Sequence, residues 1–117
     1  MTNQSAEELI KSSKEKIDIK DYAGTIQDLN QAIELDPQYA NAFTNRGIAK
    51  YALKDYEGAV ADHSKAIDIL TEESGYYFNR AHARKEIGDL KGACEDWKKA
   101  VELDDEDAEK LFKQNCQ

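Results

Sequence analysis

A chain of 117 residues with 24 acidic and 16 basic side chains has room for one domain, and its formal charge of −8 repels nucleic-acid phosphates and anionic lipid. Its longest apolar runs reach three residues, as in Tyr76-Tyr77-Phe78, so no stretch is expected to span a membrane, and no basic-then-apolar signal segment opens it. Leu, Ile, Val and Phe make up just under a fifth of the residues, which at this charge borders on disorder, but fifteen alanines, six tyrosines and a regular apolar period argue for closely packed helices.

Ser5-Ala6-Glu7-Glu8 reads as a capping box that starts a first helix. Lys20-Asp21 marks a turn, with Asp21 as the N-cap of a second helix, and the Asp36-Pro37 step stops that helix. In the next stretch Phe43, Gly47 and Tyr51, then Tyr56, Ala59, His63 and Ala66, fall at three- and four-residue steps, the stripes of two amphipathic helices. Lys54-Asp55 is the turn between them, and Gly88-Asp89 repeats it further on. The aspartates suit N-caps, where a carboxylate accepts backbone N–H bonds and meets the helix dipole. Gly88 suits the left-handed residue that ends a helix. Turns this short make the paired helices antiparallel. After Leu103 the acidic run Asp104 to Asp107 introduces a last helix, whose Ala108, Leu111 and Phe112 can cover the open end of the stack.

These elements repeat with a single period. Asp21, Asp55 and Asp89 are 34 residues apart, and so are Gly24, Gly58 and Gly92; Asp28, Asp62 and Asp96; Ala32, Ala66 and Ala100. Ile33, Ile67 and Val101, with Leu35, Ile69 and Leu103, obey the same step. A 34-residue helix–turn–helix period resembles the tetratricopeptide repeat. The resemblance extends to the small residues Ser13, Gly47 and Ala81 and to the aromatics Tyr22 and Tyr56, with Leu90 in the third copy. It implies an all-α fold, a right-handed superhelical solenoid of three helix–turn–helix repeats plus a C-terminal capping helix, forming one domain over residues 1–117. The expected repeats run over about 6–39, 40–73 and 74–104, with the capping helix over about 105–117.

The sequence offers no catalytic pattern. His63 stands between Asp62 and Ser64, but helix neighbours point about 100° apart and cannot form a nucleophile–base geometry, so a packed, hydrogen-bonded histidine is expected. His82, Cys94 and Cys116 share no metal-ligand spacing, and the acidic residues from Asp89 onward lack the calcium-loop pattern. No enzyme, metal or cofactor is expected. The two cysteines are too few for a disulfide framework and are expected as free thiols in a reducing cytoplasm. Gly24, Gly58 and Gly92 recur singly inside helices and are expected to mark close packing. Arg46 and Arg80 recur with the aspartates Asp28, Asp62 and Asp96, an expected ion pair between helices in which Arg46 could meet either Asp28 or Asp62.

The resemblance also implies where a partner sits, in the inner groove lined by the first helix of each repeat. Carried over, the expected peptide-binding residues are Lys11 and Lys14; Thr44, Asn45, Ile48 and Tyr51; Phe78, Asn79, His82 and Lys85. Ile48 and Phe78 lie off the packing stripe, as contact-making apolar residues do. Asn45 and Asn79 recur as Asn-Arg-small triplets and resemble an asparagine ladder, whose amides pair with a peptide backbone. The expected function is a non-catalytic adaptor that holds a segment of another protein, with neither nucleic acid nor membrane as partner. The alternative is a self-associating scaffold, and the expected state is a monomer or weak homodimer. The family's clamp for acidic chaperone tails has five places, which here hold Ile10, Lys14, Asn45, Gly75 and Asn79. Only Asn45 carries the clamp's residue, so such a tail is not the expected ligand.

Overall fold

The structure is a computed structural model and describes residues 5–116. Those residues form seven helices: α1 (Ala6–Asp18), α2 (Tyr22–Leu35), α3 (Ala40–Ala52), α4 (Tyr56–Ile69), α5 (Ser74–Glu86), α6 (Leu90–Glu102) and α7 (Glu106–Asn115). Each packs on the next, and α3 also meets α5, so three antiparallel pairs stack into a rod of 56 × 26 × 20 Å closed by α7. Among the described residues no helix is long and apolar enough to cross a membrane.

Polar side chains cap the starts of α1, α2, α4, α6 and α7, while α3 and α5 begin without a side-chain cap. Ser5 accepts the Glu8 N–H at 3.1 Å, and Asp21, Asp55 and Asp89 accept those of Gly24, Gly58 and Gly92 at 2.9–3.0 Å. The recurring glycines therefore do a different job from the close interhelical packing expected of them. A Cβ at any of the three would collide with the carboxylate of its own capping aspartate. The close interhelical approach belongs instead to Gly47, where a Cβ would stand 2.8 Å from the His63 ring. The turn inside each pair passes through one left-handed residue. It is Gly88 in the third pair, but Lys20 (φ 64°) and Lys54 (φ 67°) adopt the same conformation in the first two.

Alanines make the stack dense enough to fold with so few large aliphatics. Ala32, Ala42, Ala49, Ala59, Ala66, Ala81, Ala83, Ala93, Ala100 and Ala108 are fully buried, letting helices approach closely at little side-chain entropy cost. Leu9, Ile10, Leu29, Ala32 and Ala42 form a core between α1, α2 and α3. A larger core runs from Ala40 and Phe43 through Tyr77 and Trp97 to Ala108, and Ile33 packs against both.

The free-thiol expectation is overturned. Cys94 and Cys116 form a disulfide, their Cα atoms 5.7 Å apart. The capping helix α7 folds back along α6 and so returns residue 116 beside residue 94, a proximity that a 22-residue separation does not announce.

Candidate functional site

The second helix of each pair carries one buried aspartate, and the first helix supplies its cations. Arg46 donates Nε and Nη2 to the two carboxylate oxygens of Asp62 at 2.9 and 2.7 Å, and Lys50 adds a contact at 3.1 Å. Arg80 holds Asp96 in the same two-pronged way at 2.9 and 2.8 Å, with Arg84 at 3.0 Å. The open choice for Arg46 is thus settled as Asp62, within its own pair. The remaining Nη1 of each arginine reaches the preceding pair, Arg46 to Asn30 Oδ1 at 2.9 Å and Arg80 to Ser64 Oγ at 3.0 Å. Asp28 receives Ser12 Oγ–H at 2.7 Å and Lys16 at 2.9 Å. These groups are committed to holding the stack together. Lys16, Lys50 and Arg84 are themselves 34 residues apart, so the period that marks the aspartates also marks these cations.

On the other side α1, α3 and α5 line an open face with two hollows. The first, about 270 Å³, lies between α1 and α3 over α2 and is walled by Ser13, Lys14, Ile17, Thr25, Asn45 and Ile48. The second, about 310 Å³, lies between α3 and α5 over α4 and is walled by Ile48, Tyr51, His63, Asn79 and His82. Ile48, 37% exposed, is common to both. Of the expected groove residues, Lys14, Asn45, Ile48, Tyr51, Asn79 and His82 stand around these hollows. Lys11 and Lys85 are exposed on α1 and α5 outside them.

Two expected groove residues have other occupations. Thr44 is buried and shares a 2.8 Å hydrogen bond with His63 Nδ1, so it is structural. Phe78 packs against the C-terminal core and edge-on to His82 at a centroid distance of 4.8 Å, which leaves it half-buried instead of free. His63, expected as a packed histidine, is one, and it also reaches the floor of the second hollow. The 34-residue step links Thr44 and His63 to Ile10 and Leu29 in the first pair and to Phe78 and Trp97 in the third, so only the middle pair carries a hydroxyl–imidazole contact at these two positions.

The three titratable rings of the second hollow are shifted toward their neutral forms. Burial, opposed by Asp62 and assisted by Arg80, lowers the His63 pKa from 6.5 to about 4. Burial and then Lys85 lower that of His82, while burial, Glu86 and Tyr56 raise the Tyr51 phenol. A depressed histidine pKa has a defined consequence for folding. Between about pH 6.5 and pH 4 the unfolded chain binds a proton at His63 that the folded chain does not, so stability is full above that window and falls as pH drops through it. Replacing the pair by its first-repeat counterpart, Thr44→Ile with His63→Leu, is expected to remove about 2 kcal/mol of the stability difference between about pH 7 and pH 5. Urea unfolding of both chains at the two pH values measures it, and equal differences would mean that His63 protonates freely in the folded state.

No group of three His, Cys, Asp or Glu side chains that could hold a metal comes together among the described residues. Asp62, His63 and Ser64 are each bonded elsewhere, to Arg46, Thr44 and Arg80, and do not converge. The face offers apolar walls and the uncharged amides of Asn45 and Asn79, with Lys14 at the edge of the first hollow.

Three stacked helix pairs with an end cap define a helical-repeat solenoid. The family description "TPR repeat" matches residues 15–54 and "Tetratricopeptide repeat" matches residues 74–107, so the chain belongs to the tetratricopeptide repeat family. Among solved structures it is similar to the first TPR of Spaghetti (RPAP3) bound to the HSP90 peptide SRMEEVD, at 22% identity and a TM-score of 0.91, covering 97% of this chain and 92% of that one. The Arabidopsis OM64 TPR domain gives 24% identity and a TM-score of 0.91, covering 95% and 93%. The Sgt2 TPR domain from Aspergillus fumigatus gives 22% and 0.89, covering 94% and 76%. No match was found among curated proteins. At these identities the likeness shows the fold.

Proposed function

We propose that this protein is a non-catalytic interaction module that holds a segment of a partner protein along the α1–α3–α5 face. The observation that carries this reading is the state of Asn45 and Asn79. Both border hollows on that face, and neither side-chain amide makes a hydrogen bond among the described residues, whereas each guanidinium nitrogen of the arginines beside them is engaged. Free amides beside apolar walls are the groups that a peptide backbone and its side chains require. A structural neighbour carries an HSP90 peptide, which supports a protein ligand for this fold. It lends no support to the expectation that an acidic chaperone tail is excluded. The clamp substitutions Ile10, Lys14, Gly75 and Asn79 and the net charge of −8 speak for that expectation. The cytoplasmic assignment rested on free thiols and loses that support with the disulfide.

Asn45→Ala with Asn79→Ala is expected to weaken retention of partner proteins from an extract of the source cells by about tenfold or more, with helicity unchanged. Equal retention by the two forms would remove the groove assignment. Self-association has one observation in its favour: Ile19, Leu53 and Ile87, spaced 34 residues apart at the three turns, are 76%, 52% and 44% exposed. Sedimentation at several concentrations separates the two readings, since only self-association gives a dimer that grows with concentration.

A further inference from the structure

We infer that the partner segment is extended and carries two large uncharged side chains about three residues apart, an aliphatic one for the first hollow and an aromatic one for the second. This rests on the groove reading above and adds the chemistry of the occupant. The first hollow has little polar chemistry left to offer. Its hydroxyls are already spent, Ser13 on the Ile10 carbonyl at 2.6 Å and Thr25 on the Asp21 carbonyl at 2.8 Å, which leaves Ile17 and Ile48 as its walls with Asn45 and Lys14 beside them. An aliphatic side chain fits such a socket without stranding a polar group of its own. Three rings, Tyr51, His63 and His82, surround the second hollow, and both imidazoles are held neutral there. Ring edges and faces at van der Waals distance favour an aromatic occupant over an ionised one.

The spacing follows from the fold. The hollows lie on either side of α3 and share Ile48, so their centres are separated by about one helix–helix distance, roughly 10 Å because α1, α3 and α5 touch one another only lightly. A polyproline-type extended chain rises about 3.1 Å per residue and returns to the same face every third residue, or about 9 Å. A flat strand returns at about 7 Å and overshoots at about 13 Å. The asparagines favour an extended chain over a helix, because a helix has already spent its backbone amides on itself, while an extended segment leaves them for Asn45 and Asn79.

Panning random unstructured peptides on the full chain, then measuring the enriched peptides by fluorescence anisotropy, tests this. The expected result is a shared pair, aliphatic then aromatic or the reverse, three residues apart. Replacing either anchor by alanine should weaken binding about tenfold or more, and Ile48→Asp should abolish it. Because Ile48 is partly exposed, the aspartate variant is expected to fold, and Asn45→Ala with Asn79→Ala provides a second, milder probe. Peptides that bind the parent but not Ile48→Asp, and that carry one anchor, no fixed spacing or an acidic C-terminal run, overturn the two-anchor inference and leave the groove reading standing. Peptides that bind the parent and both variants equally overturn the groove reading itself. An empty selection, or occupation of the face by a second copy of the chain, overturns the two-anchor inference.

Discussion

Replacing Asp62 by alanine is expected to cost about 3–5 kcal/mol of folding stability, among the largest effects available from a single side chain here. Asp62 is 4% exposed, and its carboxylate takes both prongs of Arg46 together with Lys50. Without it two partly buried cations face each other with no counter-charge, and the Arg46 link to Asn30 in the preceding pair loses its anchor. Removing the cations as well should restore part of the loss, so Asp62→Leu with Arg46→Met and Lys50→Met is expected to be more stable than Asp62→Ala alone. Urea unfolding followed by helicity measures both. A loss below about 1 kcal/mol for Asp62→Ala would mean that the pair behaves as a solvated surface contact.

Reducing the Cys94–Cys116 bond is expected to lower stability by about 3 kcal/mol, the loop-closure contribution of a bridge spanning 22 residues. The capping helix has ten residues, too short to hold itself as an isolated helix, and Ala108 is its one buried residue. Its attachment depends on that alanine, on half-buried Leu111 and Phe112, and on the bridge. A thiol reductant should therefore depress the melting temperature by roughly 10 °C or more. It should also shift the emission of Trp97, which is buried in the cluster that Leu111 and Phe112 pack against. A Cys94→Ser/Cys116→Ser variant should melt at the reduced value and ignore the reductant. Identical melting in all states would mean that the bridge contributes nothing to the attachment of α7.

The fold was legible because its signals are local and repeated. Asp21, Asp55 and Asp89 announce three helix starts by a cap that needs only the next turn of backbone, and the 34-residue step announces the stack. What escaped the sequence depends on which distant residues meet. Thr44 reads as a groove residue until His63 arrives from α4 to claim its hydroxyl. Phe78 reads as free until the C-terminal core closes against it. The cysteines read as unrelated because only the return of α7 along α6 makes them neighbours. Gly24, Gly58 and Gly92 read as close-packing positions until the cap forms, when a carboxylate folds back on the glycine three residues on, as Asp55 does on Gly58. The groove was legible only in part, because residues spared from packing can be named from periodicity, while the hollows between them exist only once two pairs are stacked.

The most direct measurement is the response of the side-chain amide resonances when a captured partner segment is titrated into the labelled protein. The groove reading predicts that the Asn45 and Asn79 amides shift first and furthest. Asn30, held by Arg46, and Asn41, accepting the Tyr76 hydroxyl at 2.6 Å, should stay in place. Shifts confined to the turns around Ile19, Leu53 and Ile87, or to α7, with Asn45 and Asn79 unmoved, would contradict it.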